Sequence, residues 1–176
     1  MDSAFPLRHW PELFRGRELV LRIDPGFGLG HHEKVRTGGR QAKFGLAADA
    51  LPEMLAAVRA AGARISVLHA HVGSGITDVS HWPEVYAQLA ELAEQIGGVA
   101  AIDVGGGLGI AYEPDGEDFD VAAFGRAMAQ IKSAWPQYAL WIEPGRYLVA
   151  EAGVLLARVT QVSEKQGLRR VGVDAG

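Results

Sequence analysis

Cysteine is absent from the 176 residues. A disulfide framework, a thiolate zinc site and a cysteine nucleophile are thereby excluded from this chain. The absence suits a reducing compartment, and a cytoplasmic location is expected. Positive charge is also scarce: 17 Lys and Arg stand against 21 Asp and Glu, a net charge of −4. Binding to a phosphate backbone leans on a clustered basic surface, so no nucleic acid is expected as a partner. Long apolar runs are missing as well. None reaches the ~18 residues that read as a membrane span, and the opening MDSAFPLRHW lacks the apolar centre of a secretory signal. No membrane partner is expected.

Glycine, by contrast, is plentiful. The chain has 23, close to twice the ~7% share of an average protein. They cluster at 26–30, 38–39, 73–75, 97–98 and 105–109, where the backbone must turn or come close to something.

Between the clusters, β-rich and helical runs alternate. Leu19–Ile23 reads as a strand, followed by a long polar, Gly-rich stretch to about Ala48. Asp49 reads as the N-cap of a helix over 51–61 that stops at Gly62. Strands over 64–71, 99–104 and 139–143 follow. A helix capped by Ser80 ends at Gly97-Gly98, and one capped by Asp120 ends near Trp135. The β-α-β-α-β-α-β order predicts an α/β fold with a parallel sheet, either a barrel or an open doubly wound sheet. The rhythm then breaks: 153–162 is a β-branched run with no helix before it, and a last strand spans 170–173. About four βα strands are visible where a barrel needs eight. The chain therefore reads as a (β/α)8 TIM-type barrel segment over 1–150, with 151–176 starting the connection to a C-terminal β domain.

In parallel folds, chemistry gathers at the C-terminal ends of the strands. His69 and His71 are two apart on one strand and face the same side. They either reach a site above the strand or are hydrogen-bonded core histidines. Val72-Gly73-Ser74-Gly75 adds backbone N–H groups and a hydroxyl beside them. Gly105-Gly106-Gly107-Leu108-Gly109 can wrap an anion with its N–H groups, or can be a tight βα turn. Glu143-Pro144-Gly145-Arg146 ends an apolar strand, which predicts a partly buried carboxylate with Arg146 or a ligand cation as its partner. A histidine, an anion cradle, a carboxylate and an arginine on successive strands suit a flat, phosphorylated, cationic cofactor, and pyridoxal 5′-phosphate fits.

These residues carry a resemblance. Arg22-Ile23-Asp24-Pro25-Gly26-Phe27-Gly28, Gly30-His31-His32 with Thr37-Gly38-Gly39, Lys43-Phe44-Gly45, His69-Ala70-His71-Val72-Gly73-Ser74-Gly75, Gly105-Gly106-Gly107-Leu108, Glu143-Pro144-Gly145-Arg146 and Val173-Asp174-Ala175-Gly176 occur in this order. As a set they resemble the fold-type III pyridoxal-phosphate decarboxylases, whose barrel is alanine racemase-like. The histidine-bearing loop is more similar to the diaminopimelate branch than to the ornithine or arginine branches. The resemblance implies that His71 stacks on the cofactor ring and that Ser74 and Gly105, Gly106 and Gly107 hold the phosphate. It implies that Glu143 pairs with the ring nitrogen, within the Pro144-Gly145-Arg146 turn. Arg146 would sit between phosphate and substrate carboxylate. His71 and Glu143 are then the catalytic candidates and Arg146 the substrate-binding one, with an amino acid as substrate and a homodimer as the assembly. The family's Schiff-base lysine lies in a motif on an earlier strand. None of Lys34, Lys43, Lys132 and Lys165, the lysines of this chain, lies in such a motif. The family's catalytic Cys and a cofactor-contacting Tyr lie in its C-terminal β domain. The segment by itself is expected to be inactive.

Two rivals remain. His-x-His at a strand end is also a metal-ligand pattern, which would make a barrel hydrolase; it needs ligands on later strands, and after His71 only His81 remains. No metal is therefore expected. The other rival is a non-catalytic cofactor-binding relic.

Overall fold

The structure, a computed structural model, describes residues 1–26, 43–112, 116 and 118–175, together with the backbone of 29–30. In chain order the elements are α1 (Phe5–His9), β1 (Glu18–Arg22), β2 (Leu29–Gly30), α2 (Leu51–Ala60), β3 (Arg64–His69), β4 (Gly73–Ser74), α3 (His81–Ile96), β5 (Ala101–Asp103), α4 (Val121–Lys132), β6 (Ala139–Trp141), α5 (Gly145–Val149), β7 (Val159–Lys165) and β8 (Leu168–Val173). The chain is α/β, as its alternation predicts. Four strands form one parallel sheet in the order β1-β3-β5-β6, which is also their order along the chain. A doubly wound sheet reverses direction at a switch point. Among the described strands there is no reversal, an order that the wall of a barrel also has. Four strands do not close one.

The helices pack through apolar stripes at helical spacing. α3 buries Trp82, Val85, Tyr86, Leu89, Ala90 and Ala93. α4 buries Phe124 and Met128, and the Trp82 ring meets Phe119 and Phe124 edge-on at 5.5 and 5.3 Å. The buried indole N–H then donates to the Gly106 carbonyl at 3.2 Å, which ties the helix layer to the glycine loop.

Several boundaries differ from expectation. Asp49 is no N-cap, because a 3-10 turn over Ala48–Ala50 absorbs it, although α2 starts at Leu51 as the sequence predicts. Ser80 occupies the N-cap position of α3 without a side-chain capping bond; its own N–H is taken by Asp78 Oδ1 at 2.9 Å. Asp120 does cap α4, accepting from the Ala123 N–H at 2.8 Å. The strand expected over 139–143 is paired only to Trp141, because Pro144 turns the chain into the short helix α5. The run 153–162 becomes strand only at Val159, where β7 pairs antiparallel with β8. Every residue of both strands is exposed. His31, His32 and Thr37-Gly38-Gly39 lie outside the described residues.

Candidate active site

Parallel register assembles the site. Arg22 pairs with His69, His69 with Asp103, and Asp103 with Trp141. Register partners share a face of the sheet, and period two returns His71, Gly105 and Glu143 to that face one step further on. The ladder continues past the strands: Ala70 N–H donates to Asp103 O at 3.0 Å and Glu143 N–H to Gly105 O at 2.9 Å. β2 pairs with β4, and Ile76 bridges to Leu108, so the glycine-bearing loops are fastened to one another.

The triglycine loop has no room for side chains. At Gly105 φ is +71°, and an added Cβ would stand 2.6 Å from Ala70 O and 2.8 Å from His71 Nδ1. At Gly106 it would collide with the Glu143 carbonyl oxygen. The loop's donors are partly committed. Gly105 N–H bonds Asp103 Oδ1 at 2.9 Å, and Gly106 N–H bonds His71 Nδ1 at 3.1 Å. Among the described residues the N–H groups of Gly107 and Leu108 donate to none. Fewer of the loop's N–H groups are therefore open to an anion than the sequence suggests. Gly105 and Gly106 spend their N–H groups within the fold, whereas those of Gly107 and Leu108 are uncommitted among the described residues.

The expectation for Glu143 also needs correction. Its side chain is 55% exposed, not partly buried, and Trp141 and Ile142 before it are 48% and 42% exposed. Among the described strands β6 lies at an edge of the sheet, with a neighbour on one side only. Nor does Arg146 pair with it, since that guanidinium donates to the Tyr112 hydroxyl. Glu143 Oε2 instead lies 3.4 Å from His69 Nε2. Pro144 is the N-cap of α5, and Gly145 is its first residue.

The charges on this face act on one another. Burial holds His69 below its ordinary pKa, while Asp103 and Glu143 oppose that and Arg22 adds to it. Burial also lowers His71, with Arg22 and His69 acting in the same direction. Asp103, the one buried charged residue among those described, is pushed up by burial and by Glu143 against the pull of the Gly105 N–H. Both imidazoles thus favour the neutral form. For His71 this agrees with Nδ1 accepting the Gly106 N–H, which leaves the hydrogen on Nε2.

The sequence brought out His71, Ser74, the glycines, Glu143 and Arg146, but not Asp103 or the pairing of His69 with Glu143. Donor atoms of His69, Asp103 and Glu143 lie within 4.8 Å of one another. The later strands hold no histidine in this set and supply carboxylates instead. The visible signal was position: Asp103 stands two residues before Gly105, at the same strand end as His69. Among the described lysines, Lys43 stacks on Phe44 at 5.1 Å, Lys132 donates to Pro136 O and Lys165 ends β7.

The model of a family described as pyridoxal-dependent decarboxylase, pyridoxal binding domain, matches residues 1–150. The chain is 35% identical over 166 residues to the diaminopimelate decarboxylase of Deinococcus radiodurans, covering 92% of this chain and 40% of that protein. It is 35% identical over 188 residues to that of Methanothermobacter thermautotrophicus, covering 100% and 44%. A crystal structure of diaminopimelate decarboxylase superposes with a TM-score of 0.79 at 33% identity, over 99% of this chain and 43% of that one. The Helicobacter pylori diaminopimelate decarboxylase, complexed with L-lysine, does so with a TM-score of 0.80 at 26% identity, over 99% and 46%. This chain spans less than half the length of each of these relatives.

Proposed function

The chain belongs to the pyridoxal-dependent decarboxylases, and from that premise we propose that the whole protein decarboxylates meso-2,6-diaminopimelate to L-lysine with pyridoxal 5′-phosphate. The observation that carries the reading is the convergence of His71, the triglycine loop and Glu143 on one face at the strand ends. The residues suit the cofactor. A cradle free of Cβ atoms with two N–H groups uncommitted among the described residues would accommodate a phosphate, and an imidazole and a carboxylate would flank a flat cationic ring.

When bound, the cofactor supplies an electron-withdrawing ring that makes loss of carbon dioxide from an attached amino acid feasible. This chain's own residues would hold and tune it. The neutral face of His71 would lie against the ring without adding a positive charge beside it. Ser74 and the N–H groups of Gly107 and Leu108 would hold the phosphate. Glu143 would hold a proton at the ring nitrogen and so keep the ring cationic. Arg146 would meet a substrate carboxylate with its planar fork.

The substrate assignment is supported by relatives named diaminopimelate decarboxylase at 35% identity. A cytoplasmic homodimer is part of the same reading, as is a barrel domain over 1–150 that leads through 151–176 into a β domain. The His69–Asp103–Glu143 set is compact enough for a divalent ion, but a metal hydrolase would leave the glycine cradle without a task. The test is a cofactor titration of the full-length protein followed by decarboxylation assays on diaminopimelate, ornithine and arginine. We expect saturable binding and the highest kcat/KM for diaminopimelate. A higher value for ornithine or arginine would overturn the substrate and leave the class standing.

A further inference from the structure

Among the described residues, His69 Nε2 is the buried side-chain polar atom left without a well-formed hydrogen bond. We propose that His69, backed by Asp103, is a positioning residue for Glu143: its enclosed Nε2 carries a hydrogen toward Glu143 Oε2 and holds that carboxylate over the face it shares with His71. The proposal rests on the cofactor reading above.

Glu143 needs such a partner. Its side chain is long, more than half exposed, and follows a strand at an edge of the sheet among those described. Arg146, the neighbour that the sequence offers, is turned to Tyr112. His69 is the ion-pair partner that Glu143 has among the described residues, at 3.4 Å.

His69 is the member fixed in space. Its strand is paired on both sides, with Arg22 on one and Asp103 on the other, and its side chain is only 13% exposed. Of two groups in contact, the rigid one orients the mobile one. Asp103 is rigid too, buried and bound by the Gly105 N–H. The charged and titratable groups around His69 are Arg22 from β1, His71 beyond β3, Asp103 from β5 and Glu143 beyond β6. Two carboxylates therefore face one imidazole. A hydrogen on Nε2 satisfies the enclosed nitrogen and gives these carboxylates a donor, whether the ring is neutral or charged. Directed toward Glu143, it would leave the second carboxylate oxygen for a ligand.

The test is a double-mutant cycle in the full-length protein, read as the dissociation constant of pyridoxal phosphate by fluorescence. His69→Leu and Glu143→Gln should each weaken binding about tenfold, an ordinary coupling energy. If His69 acts through Glu143, the double variant should be no more than about threefold weaker than Glu143→Gln alone. His69→Gln, which keeps an N–H donor, should stay within about threefold of wild type. Additive losses would show a separate structural role and overturn the proposal, as would His69→Leu with wild-type affinity or His69→Gln as weak as His69→Leu. Where His69→Leu does not fold, His69→Asn, whose amide is too short to reach, replaces it in the cycle. A wild type that binds no pyridoxal phosphate overturns the functional reading itself and this proposal with it. A wild type that binds beside an unaffected His69→Leu overturns only the positioning role.

Discussion

At Gly106 a single hydrogen atom decides whether three functional groups can meet. Its N–H holds His71, its carbonyl receives the Trp82 indole, and its Cα faces the Glu143 carbonyl with no space for a methyl group. Gly106→Ala should therefore cost about 1–3 kcal/mol of stability and weaken cofactor binding, because the backbone must move to admit the new atom. Urea unfolding and a cofactor titration of the variant would show this, and wild-type values in both would mean the loop has slack. The two histidines make a second residue-scale prediction. Both are held below the ordinary value of 6.5. Between their folded pKa values and 6.5 the unfolded chain binds protons that the native one refuses. Their contribution to stability is full above about pH 6.5 and is lost as pH falls through the folded values. Asp103, raised above 3.8, acts in the opposite sense: its contribution is present at low pH and lost as pH rises through its folded value. The apo protein's urea midpoint should fall as pH drops below 6.5, and His71→Gln should flatten that slope. An unchanged slope would remove His71 as its source.

Elements place these residues, and the helices hold the elements. Asp120 bonds the Ala123 N–H at the start of α4, so Asp120→Ala should cost about 1 kcal/mol in thermal or urea unfolding. Trp82 on α3 is fully buried and bonds the Gly106 carbonyl. Trp82→Phe removes that donor and part of the ring, and should cost about 2–4 kcal/mol in urea unfolding while also weakening cofactor affinity. A loss of stability with unchanged affinity would separate the helix layer from the glycine loop. Element identity was legible because periodicity is local: α3 shows its apolar stripe directly in Trp82, Val85, Tyr86 and Leu89. The capping of Asp49 and Ser80 was not, since both are good capping types whose use depends on where tertiary packing starts the helix. The helix α5 escaped notice because five residues show no periodicity.

The whole chain presents apolar surface that a closed fold would cover. Trp141 and Ile142 are exposed at an edge of the sheet among the described strands, and Val154, Leu155 and Leu156 are each at least 85% exposed. Parallel strands are normally covered on both faces, and open edges invite pairing with other chains. The 176-residue chain expressed by itself should therefore self-associate. Size-exclusion chromatography with light scattering checks this, and a monomer with a sharp, reversible melt would contradict it. At the same scale, the proposed function makes Arg146→Lys in the full-length protein raise KM for diaminopimelate and loosen the cofactor, since lysine keeps the charge and loses the bidentate fork.

The sequence by itself determined the fold class and offered the candidate site residues. Alternating apolar runs dictate strands and helices through local geometry. His71, Ser74, the three glycines and Glu143 stand at strand ends because the chain order puts them there. Only the tertiary structure decided which groups touch. Asp103 reads in the sequence as one more strand residue, and becomes a member of the site because parallel register sets it beside His69. Glu143 and Arg146 are three residues apart and of opposite charge, yet the turn into α5 sends Arg146 to Tyr112 and leaves Glu143 to a histidine 74 positions earlier in the chain. Sequence spacing governs neighbours along one element, whereas contacts between strands follow from register, which the chain acquires only when the sheet forms.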